Sequence, residues 1–387
     1  MRATIGFVVV LLLIVGLGYG YFRYQWSKIS SSPCTTCIAA ANGAPYNVLL
    51  IGSDSRAGES AADAQHFGSA STTTGQRSDT IKIIHIDPTA GTASSLSIPR
   101  DTYVSLSDRA ATSQLSTDNK INAAFDNGPD ALIQTIQNTF GIPISHYIVI
   151  NFFGLRDAVN ALGGVSLDFP FPVRDHNTAT GVNESGLFVP QPGCQVIDGT
   201  AALALSRSRY FEYYAGGQWH TDPSSDIGRI QRQNLIISAA LNKAKSTYNP
   251  LRLNALLTSS VHDFSKDDGL SATDLLSLAE RYHAFSGSNL QASTLPTTSA
   301  QTPGGSDVLV VQPDQASQLI TQFLGGPVGT VSTPPLDEYG QALTFPVATT
   351  TTTPPAATAS TAPPSSTKST AGAPAQSTEP SYDPRPC

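Results

Sequence analysis

YNVLLIGSD, residues 46–54, is an almost unbroken apolar run that stops at Gly52, Ser53 and Asp54. A short apolar run without polar alternation is what a strand buried on both faces requires. HYIVINF (146–152) repeats the pattern, and DTIKIIHID (79–87) and TASSLSIP (92–99) add two further strand-like runs. Helical spacing falls elsewhere. GPDALIQTIQNTFGI (128–142) sets Leu132, Ile133, Ile136 and Phe140 on one face, with Pro129 near its start and Gly141 just past its end. NFFGLRDAVNALGG (151–164) follows the same scheme, and DIGRIQRQNLIISAALNKAK (226–245) and SATDLLSLAERYHAF (271–285) read as two longer helices. Strands alternating with helices predict an α/β class domain, with a central mixed β-sheet flanked by helices in α/β/α layers.

Outside this body, expected to span residues 46–326, the composition changes. Residues 3–22, ATIGFVVVLLLIVGLGYGYF, carry no charge. About 20 apolar residues at 1.5 Å rise span a hydrocarbon core of about 30 Å, so residues 1–22 are expected to form a transmembrane helix. Aromatic residues follow in YFRYQW (21–26), where a helix leaves a bilayer. A cleavable signal would have a shorter apolar stretch and a small-residue site directly behind it. Here IAAANGA (38–44) comes well after Phe22, so an uncleaved single-pass anchor is expected, with a linker over 23–45. Residues 327–387 are rich in Thr, Pro, Ser and Ala with almost nothing apolar to bury. Such a segment cannot offset its ordering entropy, and a disordered tail is expected.

The 387-residue chain has a net charge of −7, which argues against nucleic acid as a partner. Its four cysteines, Cys34, Cys37, Cys194 and Cys387, suit structural disulfides in an exported, extracytoplasmic body. Four cysteines allow three pairings, and spacing alone does not choose among them.

Chemistry-bearing residues gather at the ends of the strand-like runs. Asp54 ends the first, in GSDSR, and Asp79 opens the next, in RSDT. If these strands are antiparallel neighbours, both carboxylates reach one sheet edge, where hard oxygens suit Mg2+. Alone, either aspartate is as readily a turn residue. Arg77 and Arg100 adjoin the same strand ends, Arg100 being followed by Asp101 in SIPRDT. Arg207 and Arg209 in LSRSRY point the same way if that segment is extended. Arg229 and Arg232 in DIGRIQRQN are neighbours on a helix face, with Gln233 beside them. Ser225 or Asp226 would cap that helix. A cation in its first turn opposes the helix dipole, yet makes an anion cradle. Arginine suits phosphate because its rigid, permanently charged fork bonds bidentately. Several cations and one metal at one point ask for a polyanion, and pyrophosphate meets that need. His85 and His220 have no paired-carboxylate signature and read as structural.

GSDSR, RSDT, SIPRDT, KINAAFDNG, ALGGVSLDF, CQVIDGTAALALSRSRY and DIGRIQRQN occur in this order, and together they resemble the LytR–CpsA–Psr family of membrane-anchored cell-wall ligases. The resemblance covers roughly residues 46–245, and more loosely continues to about 325. It implies transfer of a phosphoglycan from a polyprenyl pyrophosphate carrier to peptidoglycan, onto the muramic acid 6-hydroxyl. The partners it implies are that lipid-linked glycan donor, the peptidoglycan acceptor and membrane lipid. It also implies that Asp54 and Asp79 hold Mg2+ (or Mn2+) against the pyrophosphate. Arg77, Arg100, Arg207, Arg209, Arg229, Arg232 and Gln233 would contact it, and the lipid would lie in an apolar tunnel between sheet and helices. In this reading Arg77 and Arg100 are catalytic, and Asp101 is a candidate base for the acceptor hydroxyl. Ser225 departs from the family pattern, which shows an acidic residue there, and the loop after Asp54 carries an insertion over about 57–76. The transferred polymer could be arabinogalactan, teichoic acid or capsule; the Ala/Thr/Pro-rich style favours the first. A hydrolase of the same lipid pyrophosphate would need nearly the same site. A non-catalytic lipid- or wall-binding protein would need no metal, and the aspartate pair counts against it. GSDSR lacks the Gly-x-Ser-x-Gly form and partners of a serine hydrolase.

Overall fold

The computed structural model describes residues 17–41, 43–53, 78–107, 119–223, 225–247, 252, 254–256, 258, 263–274, 291–302, 305–326 and 382–387. Helix α1 (residues 17–28) leads into the short strand β1 (Ser30–Ser32). The strands β2 (Tyr46–Ser53), β3 (Ser78–Asp87) and β4 (Thr92–Ile98) follow. After a 3-10 helix over Ile121–Asn127 come α2 (Pro129–Phe140), β5 (His146–Asn151) and α3 (Phe152–Ala161). The chain then forms β6 (Val165–Phe169), β7 (Val173–Asp175), β8 (Phe188–Val189), β9 (Gly193–Ile197) and α4 (Gly199–Arg207). Next are β10 (Phe211–Ala215), β11 (Gln218–Thr221) and the long α5 (Ser225–Lys245). Last come β12 (Phe264–Asp267), β13 (Gln291–Thr294), β14 (Thr297–Gln301), β15 (Asp307–Val311), α6 (Pro313–Leu324) and β16 (Arg385–Pro386).

The central seven-stranded sheet has the order β1-β12-β5-β2-β3-β4-β13. It is mixed, with β2 antiparallel to β3 and β3 to β4, while β2 runs parallel to β5 and β4 to β13. This is the α/β architecture expected from the alternating runs. Helix boundaries follow local chemistry. Pro129 opens α2, and Gly141 ends it in the left-handed region at φ 65°. The Asn151 side chain accepts from Gly154 N at 2.7 Å to cap α3, and Asp198 accepts from Ala201 N at 2.8 Å to cap α4. Helices α3 and α4 pack so closely that a Cβ on Gly199 would stand 2.0 Å from the Arg156 carbonyl oxygen.

Side chains alternate across the sheet and divide the interior. Leu49, Ile51, Ile81, Ile83, Leu96, Ile98, Tyr147 and Val149 point into one core, closed by α2, α6 and the 3-10 helix. A second core packs α3, α4 and α5 around β6, β7, β8 and β9. The opposite face of the central sheet, which carries Val48, Leu50, Thr80, Lys82, Ile84, Ile148 and Ile150, belongs to neither cluster. Although they lie mid-sheet, Ile84, Ile148 and Ile150 are only half-buried.

Several expectations need adjusting. Residues 1–16, most of the expected anchor, lie outside the described residues, and no described helix is long and apolar enough to cross a membrane. Most of the helix expected over 271–285 also lies outside, as does the insertion after Asp54. The tail 327–387 was expected to be disordered throughout, and its last six residues are instead built into the body. Arg385–Pro386 pairs with β6, and Cys387 bonds Cys194. Cys34 bonds Cys37. Non-reducing peptide mapping should recover Cys194 and Cys387 in one cross-linked fragment; four alkylatable thiols in denatured, unreduced protein would contradict the pairing.

Candidate functional site

Register brings the strand ends together. Ser53 pairs with Ser78 across β2 and β3, and with Asn151 across β2 and β5. The residues just before Asp54 and Asp79 are therefore partners at one edge. Ile98 pairs with Ile81, so the chain leaving β4 delivers Arg100 to that edge too. Asp54 and Arg77 themselves lie outside the described residues. Close approach at this end depends on Gly52, where a Cβ would fall 2.8 Å from Thr80 Cβ.

At the edge Arg100 forms a hub. Its Nη1 donates to Asp79 Oδ1, and its Nε to Asp101 Oδ2 at 3.3 Å. Lys120 Nζ lies 3.1 Å from Asp101 Oδ1. Backbone bonds hold this cluster, with Ile121 N donating to Thr102 O at 2.8 Å and Asn122 N to Arg100 O at 3.1 Å. The segment KINAAFDNG is thereby laced to SIPRDT. Sequence reasoning quoted that segment without singling out Lys120, a cation whose place opposite Asp101 depends on this pairing. Asp101 thus holds Arg100 with one oxygen and Lys120 with the other.

Helix α5 contributes a second set. Gln233 accepts from Thr80 Oγ1 at 3.1 Å and donates to Ser206 O at 2.9 Å, tying β3 to α4 through α5. Arg229, one turn earlier, is buried. Residue 224, just before the start of α5 at Ser225, lies outside the described residues. Arg232 does not join Arg229. Its Nη1 donates to Asp222 Oδ2 at 2.8 Å and Asp383 Oδ1 at 2.9 Å, and its guanidinium lies 4.1 Å from the Phe211 ring centroid. Only 1% of it is exposed. This is an ion-paired residue of the fold, and its assignment to the pyrophosphate is corrected. Nor are Arg207 and Arg209 on one extended strand, because α4 continues to Arg207 and Arg209 is exposed in the bend beyond it. His85 Nδ1 sits 2.8 Å from Asn47 Oδ1, and His220 stacks on Tyr213, both structural contacts as expected.

Tyr382 completes the Arg232 region by stacking on Tyr213 at 4.4 Å and donating its hydroxyl to Asp222 at 2.9 Å. No sequence signal tied Asp222, Tyr382 and Asp383 together.

A hard divalent cation asks for carboxylate oxygens at a partly open edge. Among the described residues no group of three or more His, Cys, Asp or Glu side chains could hold a metal. Asp79 nonetheless fits a cation that takes one or two carboxylates and completes its shell with phosphate and water. It is a hard donor at an open sheet end, beside the position where Asp54 follows Ser53.

A sequence model of the LytR_cpsA_psr family matches residues 25–323. The Corynebacterium glutamicum protein named probable cell wall biosynthesis protein LcpB is 33% identical over 274 residues, which cover 69% of this chain and 60% of that protein. The Bacillus subtilis polyisoprenyl-teichoic acid–peptidoglycan teichoic acid transferase TagV is 28% identical over 298 residues, covering 73% of this chain and 67% of that one. The chain thus spans about three-fifths of the length of the first of these relatives. Among solved structures, a LytR-Csp2A-Psr enzyme from Actinomyces oris shares the fold with a TM-score of 0.57 at 20% identity, over 76% of this chain and 95% of that one. TagT bound to LI-WTA shares it at 0.53 and 21% identity, over 77% and 99%.

Proposed function

The chain belongs to the LytR–CpsA–Psr family, and from that premise we propose that it moves a phosphoglycan from a polyprenyl pyrophosphate carrier to a peptidoglycan hydroxyl, the muramic acid 6-hydroxyl. The observation that carries this reading is one juxtaposition. A charged cluster of Asp79, Arg100, Asp101 and Lys120 closes the end of a sheet whose apolar floor of Ile84, Ile148 and Ile150 is incompletely covered. A pyrophosphate carrying a prenyl chain has this same division, an anionic head on an apolar body. Segment 3–22 would anchor the protein by a single pass, with the body outside the cytoplasm.

In the proposed reaction the acceptor oxygen attacks the sugar-bearing phosphorus. A new oxygen–phosphorus bond forms as the bond to the bridging oxygen breaks, and that oxygen departs with the electron pair as polyprenyl phosphate. The acceptor's proton passes to a base at the open edge. Arg100, oriented by Asp79 and Asp101, meets the charge that grows on the phosphate oxygens, and Arg77 and Arg229 would share it. Arg207, which ends α4, and Arg209, just beyond it, would add further contacts. Asp79, with Asp54, would hold Mg2+, which when bound neutralises phosphate charge.

Purified protein given a prenyl-pyrophosphate-linked glycan, Mg2+ and peptidoglycan should release prenyl phosphate and leave muramic acid 6-phosphate linkages detectable by mass spectrometry. Chelation with EDTA should suppress both products. Equal release without peptidoglycan would instead indicate hydrolysis, and no release under either condition would refute the reading.

A further inference from the structure

Lys82 has no counterpart in the reaction as described. It lies mid-strand in β3, paired with Leu50 of β2 and Ser97 of β4. Its side chain shares a face with Thr80, two residues away, and that face lies under α5. Thr80 bonds Gln233, and Ser97 Oγ reaches Asn234 Oδ1 at 3.5 Å. Only 5% of Lys82 is exposed, yet among the described residues no hydrogen-bond or ion-pair partner meets its ammonium. Its cross-strand neighbours are the apolar Leu50 and the uncharged Ser97, with Ile148 one strand beyond Leu50.

An unpaired ammonium in such a place is costly, because burial disfavours the charged form. Burial pushes the Lys82 pKa down to about 8. A methionine or leucine would fill this position without that cost, so the lysine calls for an anion that arrives from outside the fold. Distance suggests which anion. Thr80, on the same face, is two residues nearer the strand end, roughly 7 Å along the strand from Lys82, and a lysine side chain spans much of that interval. A pyrophosphate gripped at the strand end with its prenyl chain on the apolar floor turns its prenyl-bearing phosphate inward.

We infer that Lys82 binds the prenyl-side phosphate of the carrier, receiving the negative charge that this phosphate gains as the leaving group. The inference rests on the reading of the site as a lipid-pyrophosphate site. The arginines at the strand end serve the phosphorus under attack, and Lys82 serves the group that departs.

The test uses the full chain in detergent, with geranylgeranyl phosphate and neutral geranylgeraniol as probes. Lys82→Met should weaken geranylgeranyl phosphate binding by about ten- to a hundredfold, the loss of one charge-assisted contact. Binding of geranylgeraniol should be unchanged or tighter. The ligand-free variant should melt at a higher temperature than wild type, an outcome that also verifies folding; Lys82→Gln supplies a polar neutral control for phosphate binding. Equal phosphate binding by Lys82→Met and wild type would overturn the inference and leave the site reading intact. Failure of wild type to bind either probe would overturn both.

Discussion

Arg100→Ala is expected to lower glycan transfer by about ten- to a hundredfold, measured well below the melting temperature of the variant. Loss of a charge-assisted contact costs roughly 1.5–3 kcal/mol. The larger end is expected here because Arg100 has a second task, keeping the Asp79 and Asp101 carboxylates apart from uncompensated repulsion. Without it, two carboxylates would face an incoming pyrophosphate. Some stability should be lost as well, because Arg100, Asp79 and Asp101 are only 12–14% exposed and removing the cation leaves two largely buried carboxylates. Arg100→Lys should recover only part of the rate, since an ammonium cannot bridge Asp79 and Asp101 with a planar fork. Arg77→Ala is expected to act in the same direction. Transfer assays paired with thermal melts check the result. A wild-type rate for Arg100→Ala would reduce the hub to a strand-end salt bridge.

Arg232→Ala should show the reverse profile, a loss of about 3–5 kcal/mol in stability, because it leaves Asp222 and Asp383 buried without their cation. For a domain of this size that corresponds to a melting temperature lower by roughly 6–20 °C. Truncation after residue 381 should destabilise comparably, since it removes Asp383, the Tyr382 stack and the bond to Cys194 together. Urea or thermal unfolding measures both. An Arg232→Ala protein that unfolds with wild type would show that the buried pairs are dispensable, and the residue would return to the list of ligand contacts.

These two arginines show how far the sequence could be read. The edge at which Arg100 works was legible because apolar runs fix which residues end a strand, and antiparallel neighbours return to the same end. The limits of α2 were legible from Pro129 and Gly141, and the long helix near 226–245 differs from α5 by a single residue. Arg232 was misplaced because helical spacing says which residues are neighbours, not which side of the helix meets a core. One of its partners lies 151 residues away, beyond any local pattern. Arg207 and Arg209 were misread because α4 runs on through a segment that looks extendable. The final six residues escaped notice because they are held by a ring stack, a buried ion pair and a disulfide, none of which requires the apolar content whose absence suggested disorder. Lys82 lies in a strand-like run with no motif around it, and its isolation depends on which face of the sheet lies under α5.

The docking of residues 382–387 also gives the body a second clasp. Helix α6 closes at Gly325, and the chain is fastened again from Tyr382 onward, by a hydroxyl bond to Asp222, an ion pair to Arg232 and a disulfide to Cys194. A single cut between Gly326 and Tyr382 would therefore leave two pieces that stay covalently joined. A nicked protein should migrate as one species without reductant and as two with it.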